Sequence, residues 1–240
     1  MDLKITPGKL SGTVSVIPSK SQAHRLLICA AFSDGETILQ CSETNRDIEA
    51  TADCLRALGA DIVRTADGYR ILPIRKLPES AVLNCCESGS TLRFMLPIAA
   101  ALGVDTLFQM EGRLPSRPLS PLWEEMERMG CSLSRPTENS VRCIGNLKPG
   151  AYSIDGSVSS QFITGLLLAL SVLPGKSTLK ITGELQSKPY VDITKDVLSL
   201  FGINTYGAFI EGRYPLNSPS HLVVEGDWSN AAFFLVANAL

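Results

Sequence analysis

The stretch Pro18-Ser19-Lys20-Ser21-Gln22-Ala23-His24-Arg25 joins a strand-like run, Leu10 to Ile17, to an apolar helix read from Leu26 to Phe32. Ser19 and Ser21 are favoured N-cap residues, and a capped helix start leaves backbone N–H groups facing outward. The positive end of the helix dipole lies at the same place, so a phosphate or carboxylate suits it. Lys20 adds a movable point charge and Arg25 a planar fork for an oxyanion. On these eight residues alone, a capped helix with two solvated cations fits equally well. The rest of the chain decides between the two.

The pattern returns twice. Ser88-Gly89-Ser90-Thr91-Leu92-Arg93 opens the apolar helix Phe94 to Leu102, and Ser159-Ser160-Gln161 opens the helix Phe162 to Leu173. The glycines that end the second helices, at 59, 130 and 202, are 71 and 72 residues apart. The strand threonines at 37, 106 and 178 are spaced by 69 and 72, and the helix-start serines at 21, 90 and 160 by 69 and 70. Three landmarks on one period predict an α/β (α+β) fold of three βαβαββ units around buried helices, rather than an open solenoid. The units are expected at about 19–84, 85–153 and 154–224.

The first unit counts the strand before the motif as its opening strand. Strand Glu36–Gln40, a helix from about Asn45 ending at Gly59, and strands near Ala60–Val63, Tyr69–Leu72 and Ala81–Asn84 follow. Pro97 is expected to kink or shorten its helix, and Pro121 to sit at N1 of the helix bearing Leu122 and Met126. A fourth copy opens at Glu225-Gly226-Asp227-Trp228-Ser229-Asn230. Its helix, Ala231 to Leu240, carries no stop signal. The chain is therefore read as the first part of a longer protein.

Composition narrows the classes. A net charge of −2 argues against a general nucleic-acid binder, so any anion site is local. Seven cysteines without Cys-x-x-Cys spacing, and only two histidines, indicate neither a disulfide framework nor a metal site. Buried thiols in a reducing cytosol, and hence a cytoplasmic protein, are expected. Asp2 and Lys4 break any leader-like apolar run, and Ile163 to Leu173 is too short to span a bilayer. If the three helix starts converge, they make a strong anion pocket, with Gly89 letting an anion reach the backbone. Arg113-Leu114-Pro115-Ser116-Arg117-Pro118 reads as a stiffened arginine clamp or a solvated loop, and Gln186-Ser187-Lys188-Pro189-Tyr190 holds the same place one unit later. His24 either contacts ligand or serves the core.

In order and spacing, these motifs together with Ser187-Lys188-Pro189-Tyr190-Val191-Asp192 and Glu225-Gly226-Asp227 resemble the 3-phosphoshikimate 1-carboxyvinyltransferase (EPSP synthase) family of enolpyruvyl transferases, over the whole chain. The resemblance implies two domains of three βαβαββ units each, an inside-out α/β barrel, with the active site between them. Residues 19–225 would be the first domain, and 1–18 with 226–240 the start of a second whose remainder is absent.

The resemblance also implies roles. Lys20, Ser21 and Arg25 would meet shikimate-3-phosphate, with Lys20 also reaching phosphoenolpyruvate as the catalytic cation. Ser159, Ser160 and Ser187 would bind the shikimate phosphate, with Gln161 and Tyr190 lining the pocket. Gly89, Arg117 and Gln161 would serve phosphoenolpyruvate, and Arg93 lies nearby. The implied reaction is carboxyvinyl transfer to the 5-hydroxyl of shikimate-3-phosphate in aromatic amino acid biosynthesis, without cofactor or metal, by a protein monomeric at full length. In this family it is also the target of glyphosate. Two departures stand out. Ile17-Pro18 replaces the usual Pro followed by Gly or Pro, and Glu87 replaces an Asn, which is expected to place negative charge near the anion site. Two other readings remain: UDP-N-acetylglucosamine 1-carboxyvinyltransferase, disfavoured by Ser21 and by the absence of Cys from the Arg113–Arg117 loop, and a non-catalytic phosphate-binding module.

Overall fold

A helix buried on nearly every face lies in the interior, and three helices here are so buried, though the first carries His24 and Arg25 among its apolar residues. In a computed structural model, which describes residues 11–239, they are α1 (Lys20–Ala31), α3 (Gly89–Leu102) and α5 (Ser160–Val172). Ala23 to Ala31 of α1 are all buried, as is nearly all of α3 and α5. The second helices, α2 (Arg46–Ala57) and α6 (Lys188–Leu200), are amphipathic and complete a closed cycle of contacts, α1–α2–α3–α5–α6 and back to α1. The short α4 (Leu122–Arg128) packs instead on strands. No helix among the described residues is long and apolar enough to cross a membrane.

Three four-stranded sheets surround the helices. The strands are β1 (Thr37–Gln40), β2 (Asp61–Arg64), β3 (Gly68–Leu72), β4 (Ser80–Asn84), β5 (Asp105–Gln109), β6 (Cys131–Ser134), β7 (Ser140–Gly145), β8 (Ala151–Asp155), β9 (Gly175–Thr182), β10 (Thr205–Tyr206), β11 (Phe209–Gly212) and β12 (His221–Val223). The sheet orders are β12-β1-β3-β2, β4-β5-β7-β6 and β8-β9-β11-β10. Each starts with one parallel pair and continues with two antiparallel pairs, so the repeat read from the sequence is visible in the hydrogen bonding.

Five expectations need correction. Residues 11–17 form no strand, and Leu10 lies outside the described residues. Pro18 makes only an isolated bridge with Gly226, and Val14, Val16 and Ile17 are exposed, because among the described residues no neighbouring strand offers them a ladder. The opening place in the first sheet is taken by β12, parallel to β1, with Ile38 opposite His221. Hydrogen bonding likewise puts β4 in the second sheet and β8 in the third, across the expected cuts after residues 84 and 153. The helices also start earlier than their apolar runs, at Lys20, Gly89 and Ser160. Polar residues such as His24, Arg25, Thr91 and Arg93 are buried inside the ring and hydrogen-bonded there.

Finally, Pro121 is the N-cap of α4 rather than N1, and Pro97 does not shorten α3. Proline lacks the N–H that would bond the Arg93 carbonyl one turn back. Gly165 of α5 lies against that carbonyl: a Cβ there would fall inside contact distance of Arg93 O and 3.0 Å from Pro97 Cγ. Backbone on a buried helix cannot yield cheaply, so Gly165→Ala is expected to destabilise the fold by about 3 kcal/mol, the upper end for overpacking. For a chain of this size the melting temperature should fall by roughly 6–12 °C. A calorimetric melt within 2 °C of the parent (about 1 kcal/mol or less) would refute the close approach.

The last helix, α7 (Trp228–Ala239), has no buried residue. Seven free cysteines are found, six buried and Cys86 half-buried, as their composition suggested.

Candidate functional site

The helix starts converge. Lys20, Ser21 and Arg25 from α1, Ser90 from α3, Ser159, Ser160 and Gln161 from α5, and Ser187 and Tyr190 from α6 line one cleft of about 350 Å³. Arg117, Gln186, Phe94 and Val158 complete the wall, and among the described residues no carboxylate lines it. Four N-terminal dipoles and several cations therefore face one volume, an arrangement that favours an anion.

Three of the starts are capped by serine. Ser19 Oγ accepts from Gln22 N (3.4 Å), Ser88 Oγ from Thr91 N (3.2 Å) and Ser159 Oγ from Gln161 N (3.2 Å). Ser21, read as a second cap, lies within α1 instead. Ser187 differs. Its backbone is left-handed (φ 56°), its hydroxyl makes no cap bond, and among the described residues Oγ stands without a partner at the cleft wall. A serine held in that conformation is strained and marks a place where position is at a premium.

The cations are held in different ways. Lys20 Nζ pairs with Asp47 Oδ2 at 2.9 Å, near the start of α2, with both side chains partly exposed. Arg25 is buried, and its guanidinium donates to Thr194 Oγ1 (2.7 Å), Thr164 Oγ1 (3.0 Å) and the carbonyls of Tyr190 (3.0 Å) and Ser21. Burial pushes its pKa down to about 10. Arg93 is buried too and donates to Gln161 Oε1 (2.6 Å) and Pro118 O (3.0 Å), while its Nε has no partner. Burial first, and then the charge of Arg117, lower it to about 10. Gln161 also donates from Nε2 to Ser90 Oγ (2.9 Å), so both ends of its amide are fixed between α5 and α3.

Gly89 explains how two guanidiniums meet. A Cβ on it would overlap Arg117 Nη1 and lie 2.9 Å from Arg117 Cζ and 3.3 Å from Arg93 Nη1. Only glycine leaves room for that pair. Two like charges so close, with no carboxylate in the lining, create local positive potential for a bound anion.

Other expectations fall outside the cleft. Arg113 is exposed on the turn before Leu114–Ser116 and does not line the wall, so the clamp reduces to Arg117. Glu87 does not face the anion site: it is exposed, its Oε1 accepts from Arg113 N (3.2 Å), and its carboxylate covers Gly112. Sequence reading missed Asp47, Thr164 and Thr194. Asp47 carried one signal, since Asn45-Arg46-Asp47 occupies the loop position equivalent to the Arg117 and Ser187 segments. The two threonines look like ordinary helix residues.

His24 serves the core. It is buried, with Nδ1 2.7 Å from Thr51 Oγ1 and the ring edge-on to Phe94. Thr51 continues through Thr91 to Ser88 by hydroxyl contacts of 2.7 Å each, tying α1, α2 and α3 together. Burial, then Arg25 and Lys20, push its pKa from 6.5 down to about 3, with Asp47 opposing. The folded pKa is depressed, so below 6.5 the unfolded chain binds a proton that the fold excludes, and stability falls as pH drops toward 3. The full effect is on the order of 5 kcal/mol, at about 1.4 kcal/mol per pH unit. Urea midpoints between pH 7 and 4 should fall steeply for the parent and less steeply for His24→Asn. Equal slopes would remove His24 as a source of acid sensitivity.

Among the described residues no group of three or more His, Cys, Asp or Glu is placed to hold a metal ion.

Comparison with known proteins supplies the family. The chain is 39% identical over 252 residues to 3-phosphoshikimate 1-carboxyvinyltransferase of Clostridium beijerinckii, covering 100% of this chain and 58% of that protein. It is 42% identical over 249 residues to the enzyme of the same name from Clostridium botulinum strain Alaska E43, covering 99% of this chain and 57% of the relative. The chain thus spans little more than half the length of these relatives. Its fold matches a solved EPSP synthase structure from Acinetobacter baumannii with a TM-score of 0.76 and 24% identity, over 94% of this chain and 52% of the other. Residues 5–240 match the family model for EPSP synthase (3-phosphoshikimate 1-carboxyvinyltransferase), and the chain belongs to that family.

Proposed function

We propose that this chain supplies the shikimate-3-phosphate half of a 3-phosphoshikimate 1-carboxyvinyltransferase and part of the phosphoenolpyruvate site. The observation that carries the reading is the single cleft lined by four helix starts and three cations, with no lining carboxylate. Residues 19–225 act as one domain in this proposal, and the remaining length of the relatives supplies the other wall. The phosphate of shikimate-3-phosphate sits at the starts of α5 and α6, against Ser159, Ser160 and Ser187, with Lys20 reaching in. Ser21, Arg25, Gln161 and Tyr190 orient the ring. Phosphoenolpyruvate sits on the Gly89 side, between Arg117 and Lys20.

In the proposed reaction the 5-hydroxyl of shikimate-3-phosphate gives up its proton to a base as its oxygen bonds to C2 of phosphoenolpyruvate, and the C2–C3 double bond opens as C3 takes a proton. Loss of a proton from C3 and departure of phosphate then restore the double bond. The cations offset charge on the phosphate and carboxylate groups, and a donor group holds the protons. The cleft carries hydroxyls and cations but no carboxylate for that last role. The free, largely buried thiols fit a cytosolic setting.

Titration calorimetry with shikimate-3-phosphate tests the assignment. Replacing Ser159 and Ser160 together by Ala should weaken binding by about 1.5–3 kcal/mol, the worth of a hydrogen bond to a charged group. Ser160 is buried in the wall, whereas Ser159 also caps α5, so circular dichroism should accompany the titration. Unchanged affinity in a folded double variant removes the phosphate from the start of α5.

A further inference from the structure

The Arg25 guanidinium is a buried cation, and among the described residues no carboxylate pairs with it. Four of its five N–H donors are used. Nε meets Thr194 Oγ1, Nη2 meets Thr164 Oγ1 and the Tyr190 carbonyl, and Nη1 meets the Ser21 carbonyl. One Nη1 proton remains, and Arg25 lines the cleft. Phe94 lies under the guanidinium plane, 5.0 Å from centroid to Cζ.

The two hydroxyls that hold the fork are fully buried and bonded to each other, Thr164 Oγ1 to Thr194 Oγ1 at 2.9 Å. Each hydroxyl has one proton to give and two lone pairs. Thr194 spends its proton on the Tyr190 carbonyl (2.9 Å), so its lone pairs take Arg25 Nε–H and the Thr164 hydroxyl. Thr164 therefore donates to Thr194 and accepts from Arg25 Nη2. The count closes with every hydroxyl proton pointing away from the cation. No other arrangement leaves both lone-pair sets facing Arg25.

We infer that Thr164 and Thr194 are positioning residues for Arg25, fixing its fork on α1 from α5 and α6 so that its remaining donor meets an anionic ligand. Neutral hydroxyls align the guanidinium without cancelling its charge, whereas a carboxylate in the same place would compete with the ligand. Because the threonines sit on helices whose starts also line the cleft, the cation is held in register with the hydroxyls of Ser160 and Ser187. The identity of the ligand rests on the function proposed above; the positioning of Arg25 does not.

The test compares Thr194→Val, Thr164→Val and Thr194→Ser in the whole chain, with Thr51→Val as a control for loss of a buried hydroxyl elsewhere. Valine keeps the volume and removes the acceptor; serine restores it. The first readout is the Arg25 Nε–H signal in ¹⁵N NMR without ligand. It should be resolved and slow to exchange in the parent, Thr194→Ser and Thr51→Val, and shifted with at least tenfold faster exchange in Thr194→Val. The second is calorimetry with shikimate-3-phosphate, where affinity should fall about tenfold in Thr194→Val and recover in Thr194→Ser. If Thr194→Val does not fold, Thr164→Val supplies the same readouts through Nη2. An Arg25 Nε–H signal unmoved in Thr194→Val, or moved equally by Thr51→Val, overturns the inference. A parent chain that shows the expected NMR pattern yet binds no shikimate-3-phosphate overturns the proposed ligand and leaves the positioning role standing.

Discussion

Mixed with shikimate-3-phosphate and phosphoenolpyruvate, the 240-residue chain is expected to release no phosphate above the uncatalysed background. Cations, hydroxyls and helix starts bind and polarise, but the proton that C3 must gain and lose needs a group that exchanges protons near neutral pH. Arg25 and Arg93, even lowered to about 10, keep theirs at neutral pH, and His24 is buried and directed at Thr51. General acid–base catalysis is worth about 10²–10⁴-fold. The cleft is also open, so phosphoenolpyruvate would keep its water, and the preorganised field that lowers the barrier would be incomplete. A phosphate-release assay decides: robust turnover by this chain would show that the cleft contains a proton-transfer group not recognised here.

The second large effect is expected at Lys20. Lys20→Ala should weaken phosphoenolpyruvate binding, measured in saturating shikimate-3-phosphate, by about 10- to 150-fold, the loss of one charge-assisted contact of about 1.5–3 kcal/mol. It should weaken shikimate-3-phosphate by a similar factor, because the same ammonium is proposed to touch both. The fold should survive, since Lys20 is partly exposed and its pairing with Asp47 is a surface ion pair of small worth. Asp47→Asn separates the two roles: it releases Lys20 and should leave affinity equal or improved. If Lys20→Ala binds both ligands as the parent does, the cation works elsewhere or not at all.

Local chemistry made some of this legible and distance hid the rest. Asn45 and Gly59 bounded α2 because a cap and a stop signal act on adjacent residues. The convergence of helix starts followed from repetition, since equivalent positions in related units face the same way. The start of α1 is legible in its Ser19 cap, but the apolar run alone begins six residues later, at Leu26, because His24 and Arg25 are buried in spite of their chemistry. The partner of β1 could not be read at all: His221–Val223 pairs across almost the whole chain, and no nearby residue encodes that. Gly165 showed the same limit. Its need for a missing side chain arises only once the Arg93 carbonyl, freed by Pro97, is brought against it.

That long pairing of β1 has a meaning for synthesis. Ile38 lies opposite His221, 183 positions further along the chain. At elongation rates of about 5–20 residues per second, roughly ten to forty seconds separate the two on the ribosome. Throughout that interval β1 is an unpaired sheet edge, the kind of surface that other chains extend into aggregates. The first sheet is begun first and sealed last, so the nascent protein depends on protection of that edge until residues 221–223 arrive.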